Sequence, residues 1–243
     1  MPYYYGYGFD WTYLVIVLPC IILSMWASSS VNSTFKKYSQ QLSRRRISGA
    51  EAAQRVLSAH GVRGVRIEKV NGNLTDHFDP KANVIRLSED VYDSTSPAAI
   101  GVACHEAGHA VQYATEYAPI KLRAAIIPIT NIGSKLAMPL ILIGLLLNYG
   151  ASQASSDVAY TLVCIGIAAF GLSFVFQMVT LPVEFNASRR ALNTIKEQEI
   201  LTPDEQKGAR KTLTAAAMTY VAATAVALAQ LLRLILLFAR RDD

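Results

Sequence analysis

The chain has 243 residues, of which 52% are apolar and only 17% are charged, and its mean hydropathy is +0.26. Because a soluble domain carries about a quarter charged residues, this composition excludes an ordinary soluble protein and indicates an integral membrane protein. The net charge of +5 gives little support to nucleic-acid binding. Of the 23 Lys and Arg residues, 13 lie in residues 28–123 and 6 in residues 184–212, a distribution typical of loops on the cytoplasmic side of a membrane.

The first uncharged segment, residues 11–27, is predicted to be a membrane anchor and not a secretory signal peptide. A signal peptide carries basic residues before its apolar run, whereas residues 1–10 contain no Lys or Arg. The positive-inside rule therefore predicts an N-terminus outside the cell. Three further segments have the length and composition of membrane-spanning helices: 131–148, 158–181 and 213–237. The first of these three contains Lys135 and Pro139, so its first turns are expected at the interface or along a polar cavity.

Residues 31–123, between the first two spans, are predicted to form a small unit of helices and strands. Ser48 is a good N-cap for a helix over residues 49–59. Two strands are predicted from β-branched segments that are separated by turn signals: 65–70 and 83–87. A Ser-Pro pair at residues 96–97 then predicts a second helix, which runs to about residue 113.

This second helix carries the run His105-Glu106-Ala107-Gly108-His109, which has H-E-x-x-H spacing. The separation of four residues places both imidazoles on one helix face, where they can bind one zinc ion. Glu106 lies about 100° around the helix from His105. It is therefore predicted to flank the metal and to take a proton from the zinc-activated water. A chain of this composition would contain the pattern by chance roughly 0.002 times, so the motif is specific.

A catalytic zinc site normally has three protein ligands, so one ligand is missing from this helix. The other two histidines, His60 and His77, do not extend the run into a three-histidine pattern, and a carboxylate is therefore expected. Glu184 is the leading candidate, because it follows the third predicted span and so lies on the same side of the membrane as His105. The alternative is an ordinary carboxylate at the start of a helix after Pro182.

Four runs occur in order along the chain: W-A-S-S at 26–29, L-T-D-H-F-D-P at 74–80, H-E-A-G-H at 105–109 and L-P-V-E-F-N-A-S-R-R-A-L at 181–192. They resemble the YugP-like family of neutral zinc metallopeptidases, which are bacterial multi-pass membrane proteins. The resemblance covers nearly the whole chain. It implies a mainly α integral membrane protein with about four transmembrane helices and a small α+β catalytic unit of the gluzincin type.

The run E-F-N-A-S-R at 184–189 is more distantly similar to the E-F-x-A-D-R motif of the HtpX and CAAX-prenyl-protease group. In that group the glutamate is the third zinc ligand, which implies that Glu184 completes the site. Ser188 departs from the motif, because the group has an aspartate there that orients a zinc-binding histidine. Three residues could replace that aspartate, and the sequence does not choose among them: Asp76, Asp79 and Asn186.

Two further residues are candidates for contact with the substrate or with the developing oxyanion. His77 precedes the second predicted strand, near the strand edge at which related peptidases meet their substrates, and it could act as an electrophile or as a fourth ligand. The alternative is a structural histidine in a turn. Arg189 could stabilise a tetrahedral oxyanion, or it could be a surface charge of the cytoplasmic side. Tyr220 and Cys104 are interpreted as packing residues.

The sequence therefore predicts a membrane-embedded zinc metallopeptidase that binds one zinc ion per chain. Its substrates would be peptides or membrane proteins, and its active site would face the cytoplasm at the plasma membrane. The alternative is a non-catalytic zinc-binding adaptor or a subunit of a larger membrane complex. Assembly into a homo-oligomer is also possible on this sequence.

The sequence predicts five regions: an anchor at 1–30, a catalytic unit at 31–123, the second and third spans at 124–182, a cytoplasmic helix with the third ligand at 183–212, and a C-terminal span and tail at 213–243.

Overall fold

The computed structural model describes residues 11–72, 75–148 and 153–239, without the side chains of 153–156 and 239. The predicted anchor and tail thus extend beyond this range, at residues 1–10 and 240–243. The chain forms two compact units. The first comprises Met1–Trp26, Ile126–Gln177 and Ala222–Asp243, and the second comprises Ala27–Ala125 and Met178–Val221.

Within the described ranges, four helices are long and apolar enough to cross a membrane. They are α1 (Leu18–Ser39, preceded by a π-helical turn at Tyr13–Val17), α5 (Ala118–Leu147), α6 (Gln153–Glu197) and α7 (Pro203–Ala239). The prediction of about four spanning helices in a mainly α protein is therefore confirmed.

All four of these helices are longer than the apolar segments from which they were predicted. Helix α5 begins at Ala118, well before residue 131. Helix α6 continues through Pro182 to Glu197, so Pro182 lies inside a helix and Glu184 does not stand at a helix start. The predicted region 183–212 consequently contains the end of α6, a turn and the beginning of α7.

In the first unit, small residues bring α5 and α6 into close contact. A Cβ atom at Gly144 would lie 2.7 Å from the carbonyl oxygen of Ala159, and one at Gly166 would lie 2.9 Å from that of Ala137. Glycine at these positions lets the two backbones approach, which is how helices associate in an environment without a hydrophobic driving force between them.

The second unit contains the remaining elements in this order: α2 (Gly49–Ala59), β1 (Arg66–Val70), β2 (His77–Asp79), β3 (Val84–Ser88), α3 (Glu89–Tyr92) and α4 (Pro97–Ala114). The strands form one sheet in the order β1-β3-β2, with β1 parallel and β2 antiparallel to β3. Both predicted strands are present. Strand β2 was not predicted, because its three residues lie between turn signals and are too few to show a strand pattern.

Local sequence signals explain the two main helices of the second unit. Ser48 and Glu51 form a capping box at the start of α2, in which each side chain accepts a hydrogen bond from the other residue's backbone N–H. Ser96 accepts a hydrogen bond from the Ala99 N–H, and Pro97 occupies the first turn of α4. Most of α4 is buried, so this helix forms the centre of the unit's hydrophobic core.

Candidate metal centre

The metal-binding candidates come from two helices of the second unit. His105 and His109 project from α4, and Glu184 projects from α6. One possible ligand atom from each of the three residues lies within 4.8 Å of the other two. Glu184 Oε2 is 3.3 Å from His105 Nε2 and 3.6 Å from His109 Nε2. The structure thus brings together the three residues that the sequence predicted as ligands.

A buried amide determines which nitrogen of His109 is free. Gln112 Nε2 donates hydrogen bonds to the Val183 carbonyl oxygen at 2.8 Å and to Asn186 Oδ1 at 3.0 Å. The amide oxygen therefore faces His109 Nδ1, at 3.0 Å, and Nδ1 must carry the proton. His109 Nε2 consequently lies on the side of Glu184 and is left for a metal ion.

His105 is oriented in a similar way, by a hydroxyl group. Its Nδ1 lies 3.0 Å from Ser188 Oγ. Ser188 therefore occupies the supporting position itself, although it replaces the aspartate of the more distant group. The three proposed substitutes have other partners: Asp76 accepts from Ser88, Asp79 from Arg86, and Asn186 from Gln112 and Arg190.

Glu184 is 2% exposed, and its two carboxylate oxygens have different surroundings. Oε1 accepts a hydrogen bond from Arg123 Nη1 at 3.0 Å. Oε2 is buried and has no hydrogen-bond partner among the described residues. A buried acceptor without a donor is costly. A divalent cation between this oxygen and the two imidazole nitrogens would remove that cost, so the three residues fit a zinc ion.

Glu106 lies beside this cluster and not in it. It is 9% exposed and lines a cavity of about 140 Å³ that also reaches His105 and Glu184. This volume has room for several water molecules or for a peptide carbonyl group. A general base must reach a reacting water without being a ligand, and this role of Glu106 stays a prediction.

Asp76 and Tyr220 line the same cavity. Burial raises the pKa of Asp76, although hydrogen bonds donated by the Ser88 N–H and hydroxyl act in the opposite direction. Tyr220 interacts with Glu184, so it is more than the packing residue that the sequence suggested. Cys104, in contrast, is buried as expected, and burial raises the pKa of its thiol.

Sequence reasoning missed two residues that contact the candidate ligands. Gln112 follows His109 by three positions on one helix face, so its spacing could have suggested a supporting role. Arg123 had no comparable signal. It is separated from Glu184 by 61 residues, so no sequence spacing relates the two.

The two candidate substrate contacts lie outside the cluster. His77 is exposed on β2, where its Nδ1 is 2.8 Å from the Thr75 carbonyl oxygen and its Nε2 is 3.3 Å from Arg86 Nη1. The cluster of described ligand residues does not include it. Arg189 is exposed on α6 and lines a neighbouring groove that shares Ser188 with the cavity. Contact of either residue with a substrate stays a prediction.

Gly108 controls how closely the two ligand-bearing helices approach. A Cβ atom at this position would lie 2.7 Å from the carbonyl oxygen of Ala187, a backbone atom that cannot move alone. We therefore expect Gly108→Ala to displace α4 from α6, to lower zinc affinity and to destabilise the protein by about 1–3 kcal/mol. Zinc titration and thermal unfolding of the purified protein measure the two effects.

Gly171→Ala is the matched control for this substitution. A Cβ atom at Gly171 meets only the Leu231 side chain, at 4.0 Å, so the added methyl group fits without movement. Wild-type zinc affinity in Gly108→Ala would show that the close approach of the helices does not hold the site.

Two comparisons with known proteins bear on this site. Residues 13–239 match the family described as "Putative neutral zinc metallopeptidase". The chain is also 41% identical over 231 residues to a Bacillus subtilis (strain 168) protein named "Putative membrane protease YugP", and the match covers 95% of this chain and 98% of that protein. No solved structure matches the chain.

Proposed function

Because the chain belongs to the neutral zinc metallopeptidase family, we propose that it is a membrane-embedded endopeptidase that hydrolyses peptide bonds with one zinc ion. The observation that carries the proposal is the convergence of His105 Nε2, His109 Nε2 and Glu184 Oε2. The last of these is buried and has no hydrogen-bond partner in the described part of the chain. Two imidazoles and one carboxylate are a usual ligand set of catalytic zinc.

His105, His109 and Glu184 would hold the ion, and their own partners keep them in position. Arg123 fixes the carboxylate through Oε1 and leaves Oε2 free. Ser188 and Gln112 fix the imidazoles through Nδ1 and leave Nε2 free. When bound, zinc acts as a Lewis acid that polarises a carbonyl group and lowers the pKa of water.

Glu106 would be the general base in this proposal. It lines the cavity beside the ligands, so its carboxylate can take a proton from the attacking water. The same group, once protonated, can give that proton to the leaving amine. Bulk solvent is largely excluded from Glu106, because this residue is only 9% exposed. The exclusion of water strengthens electrostatic interactions within the cavity.

The site would act on the cytoplasmic side of the plasma membrane. Its residues belong to the two parts of the sequence that carry 19 of the 23 Lys and Arg residues, and such residues accumulate in cytoplasmic segments. The substrates would be peptides or membrane proteins that reach this side.

The proposal keeps the five regions that were predicted from the sequence. One detail differs: the proposed third ligand, Glu184, lies within the long helix α6.

Metal removal tests the proposal. The protein is purified in detergent, and cleavage of a mixed library of fluorogenic peptides is measured before and after treatment with a chelator. We expect cleavage to fall to background and to return when one equivalent of zinc is added, whereas magnesium should not restore it, because imidazole ligands do not suit magnesium. Tight zinc binding without cleavage of any peptide would instead favour the non-catalytic adaptor.

A further inference from the structure

A second groove opens beside the cavity that contains Glu106. Its volume is about 350 Å³, within the range of ligand-binding pockets, and it is lined by residues of α6 and α7 in the second unit. The groove and the cavity share three lining residues: Ser188, Leu213 and Ala217. Because Ser188 also contacts His105, the groove begins directly beside a candidate ligand.

The groove and the cavity differ in charge. Among the described residues, three carboxylates line the cavity, namely Asp76, Glu106 and Glu184. The described lining of the groove contains no carboxylate and two arginines, Arg189 and Arg210. Both are exposed, and neither takes part in an ion pair of the described residues.

The rest of the groove lining is mainly apolar, with Phe185, Leu192 and Met218 among its members. Such a lining accommodates the stem of an amino-acid side chain, while the planar guanidinium groups match a carboxylate through paired hydrogen bonds. The neighbouring Arg190 is already engaged, since it donates to Asn186 and lies over the Tyr117 ring. The two groove arginines are therefore the groups available to an anionic ligand.

We propose that this groove binds a carboxylate of the substrate close to the scissile bond, and that Arg189 and Arg210 make the peptidase selective for it. The inference rests on the proposed function. The carboxylate could belong to an acidic side chain or to the C-terminus of the peptide. Continuity with the cavity favours a peptide over a lipid headgroup, because a peptide that reaches Glu106 extends past Ser188 into the groove.

The test uses matched peptides and three variants. Peptides of one sequence carry either Glu or Gln at each position near the cleavage site, with a free or an amidated C-terminus. The protein variants are Arg189→Gln, Arg210→Gln and the double variant. Lys211→Gln is the matched control, because it removes a positive charge that is also exposed and lies next to Arg210 in sequence but does not line the groove.

We expect wild-type protein to cleave one acidic or free-acid peptide roughly 10- to 100-fold better in kcat/KM than its neutral partner, the range expected for hydrogen bonds to a charged group. The double variant should lose this preference, because its kcat/KM for the acidic or free-acid peptide should fall to about the value that it has for the neutral partner. A preference that follows the Glu position identifies an acidic side chain, and one that follows the free terminus identifies the terminal carboxylate. Equal cleavage of all pairs, or a preference that survives in the double variant, overturns the proposal.

A binding measurement separates this proposal from the proposed function. Fluorescence anisotropy of the same labelled peptides on Glu106→Gln protein reports the selectivity even if no peptide is cleaved. Acidic peptides should bind tighter than neutral ones, and the double variant should abolish the difference. If the arginine substitutions instead change only the affinity for vesicles that contain anionic lipid, and leave peptide binding unaltered, the groove binds lipid and the proposal is wrong.

Discussion

Glu106→Gln is expected to abolish peptide hydrolysis while the protein keeps its zinc. The substitution retains the size of the side chain and removes the group that accepts the proton, and the loss of a general base costs about 10²- to 10⁴-fold in rate. Zinc binding should persist, because Glu106 lies beside the ligand cluster and not within it. Single-turnover cleavage and elemental analysis of the purified protein measure the two quantities.

Glu116→Gln provides the control for this first substitution. Glu116 is an exposed carboxylate near the end of α4 whose ion pair with Lys121 is at the surface, where such pairs contribute little. Its loss should therefore leave both cleavage and zinc content unchanged. Full proteolytic activity in the Glu106→Gln protein would eliminate Glu106 as the base.

The second large effect is expected for Glu184→Gln, which should lose zinc. The amide keeps the shape of the carboxylate but has no negative charge, and it leaves Arg123 without its ionic partner. Loss of an outer hydrogen-bond partner of a ligand typically lowers metal affinity 10- to 100-fold, so removal of a charged ligand should exceed about 100-fold. Competition with a chromophoric zinc chelator measures the change.

A second glutamate of the same helix serves as the comparison. Glu197→Gln changes an exposed carboxylate at the end of α6. The zinc affinity of this variant protein should equal that of the wild type. Retention of wild-type affinity by the Glu184→Gln protein would require another third ligand and would remove the basis of the proposed site.

The helix that carries His105 and His109 could be predicted from the sequence because its signals are local. Ser96 and Pro97 set the start of α4, and the four-residue separation of His105 and His109 follows from helix geometry. The spans could be predicted for the same reason, since a continuous apolar segment determines its own structure in a membrane. Glu184 was first proposed because it follows the third predicted span on the side of His105, and the resemblance of its surrounding run then supported that choice.

The contacts that support the ligands could not be predicted, because they join residues far apart in the chain. Gln112 and Asn186 meet only where Gly108 lets α4 lie against α6, and a sequence pattern does not disclose which glycine permits a contact. Pro182 was also misleading. An internal proline costs a soluble helix about 3 kcal/mol, yet α6 passes through it, as apolar spanning helices often do.

The partners of the three candidate ligands also bear on the strength with which an ion is held. The imidazoles are backed by a hydroxyl group, from Ser188, and by a neutral amide, from Gln112, both weaker electron donors than a carboxylate. Arg123 draws electron density away from Glu184 at the same time. A zinc ion held by such weak donors would keep more of its positive charge. The proposed centre would therefore combine high electrophilicity with easy exchange of its ion.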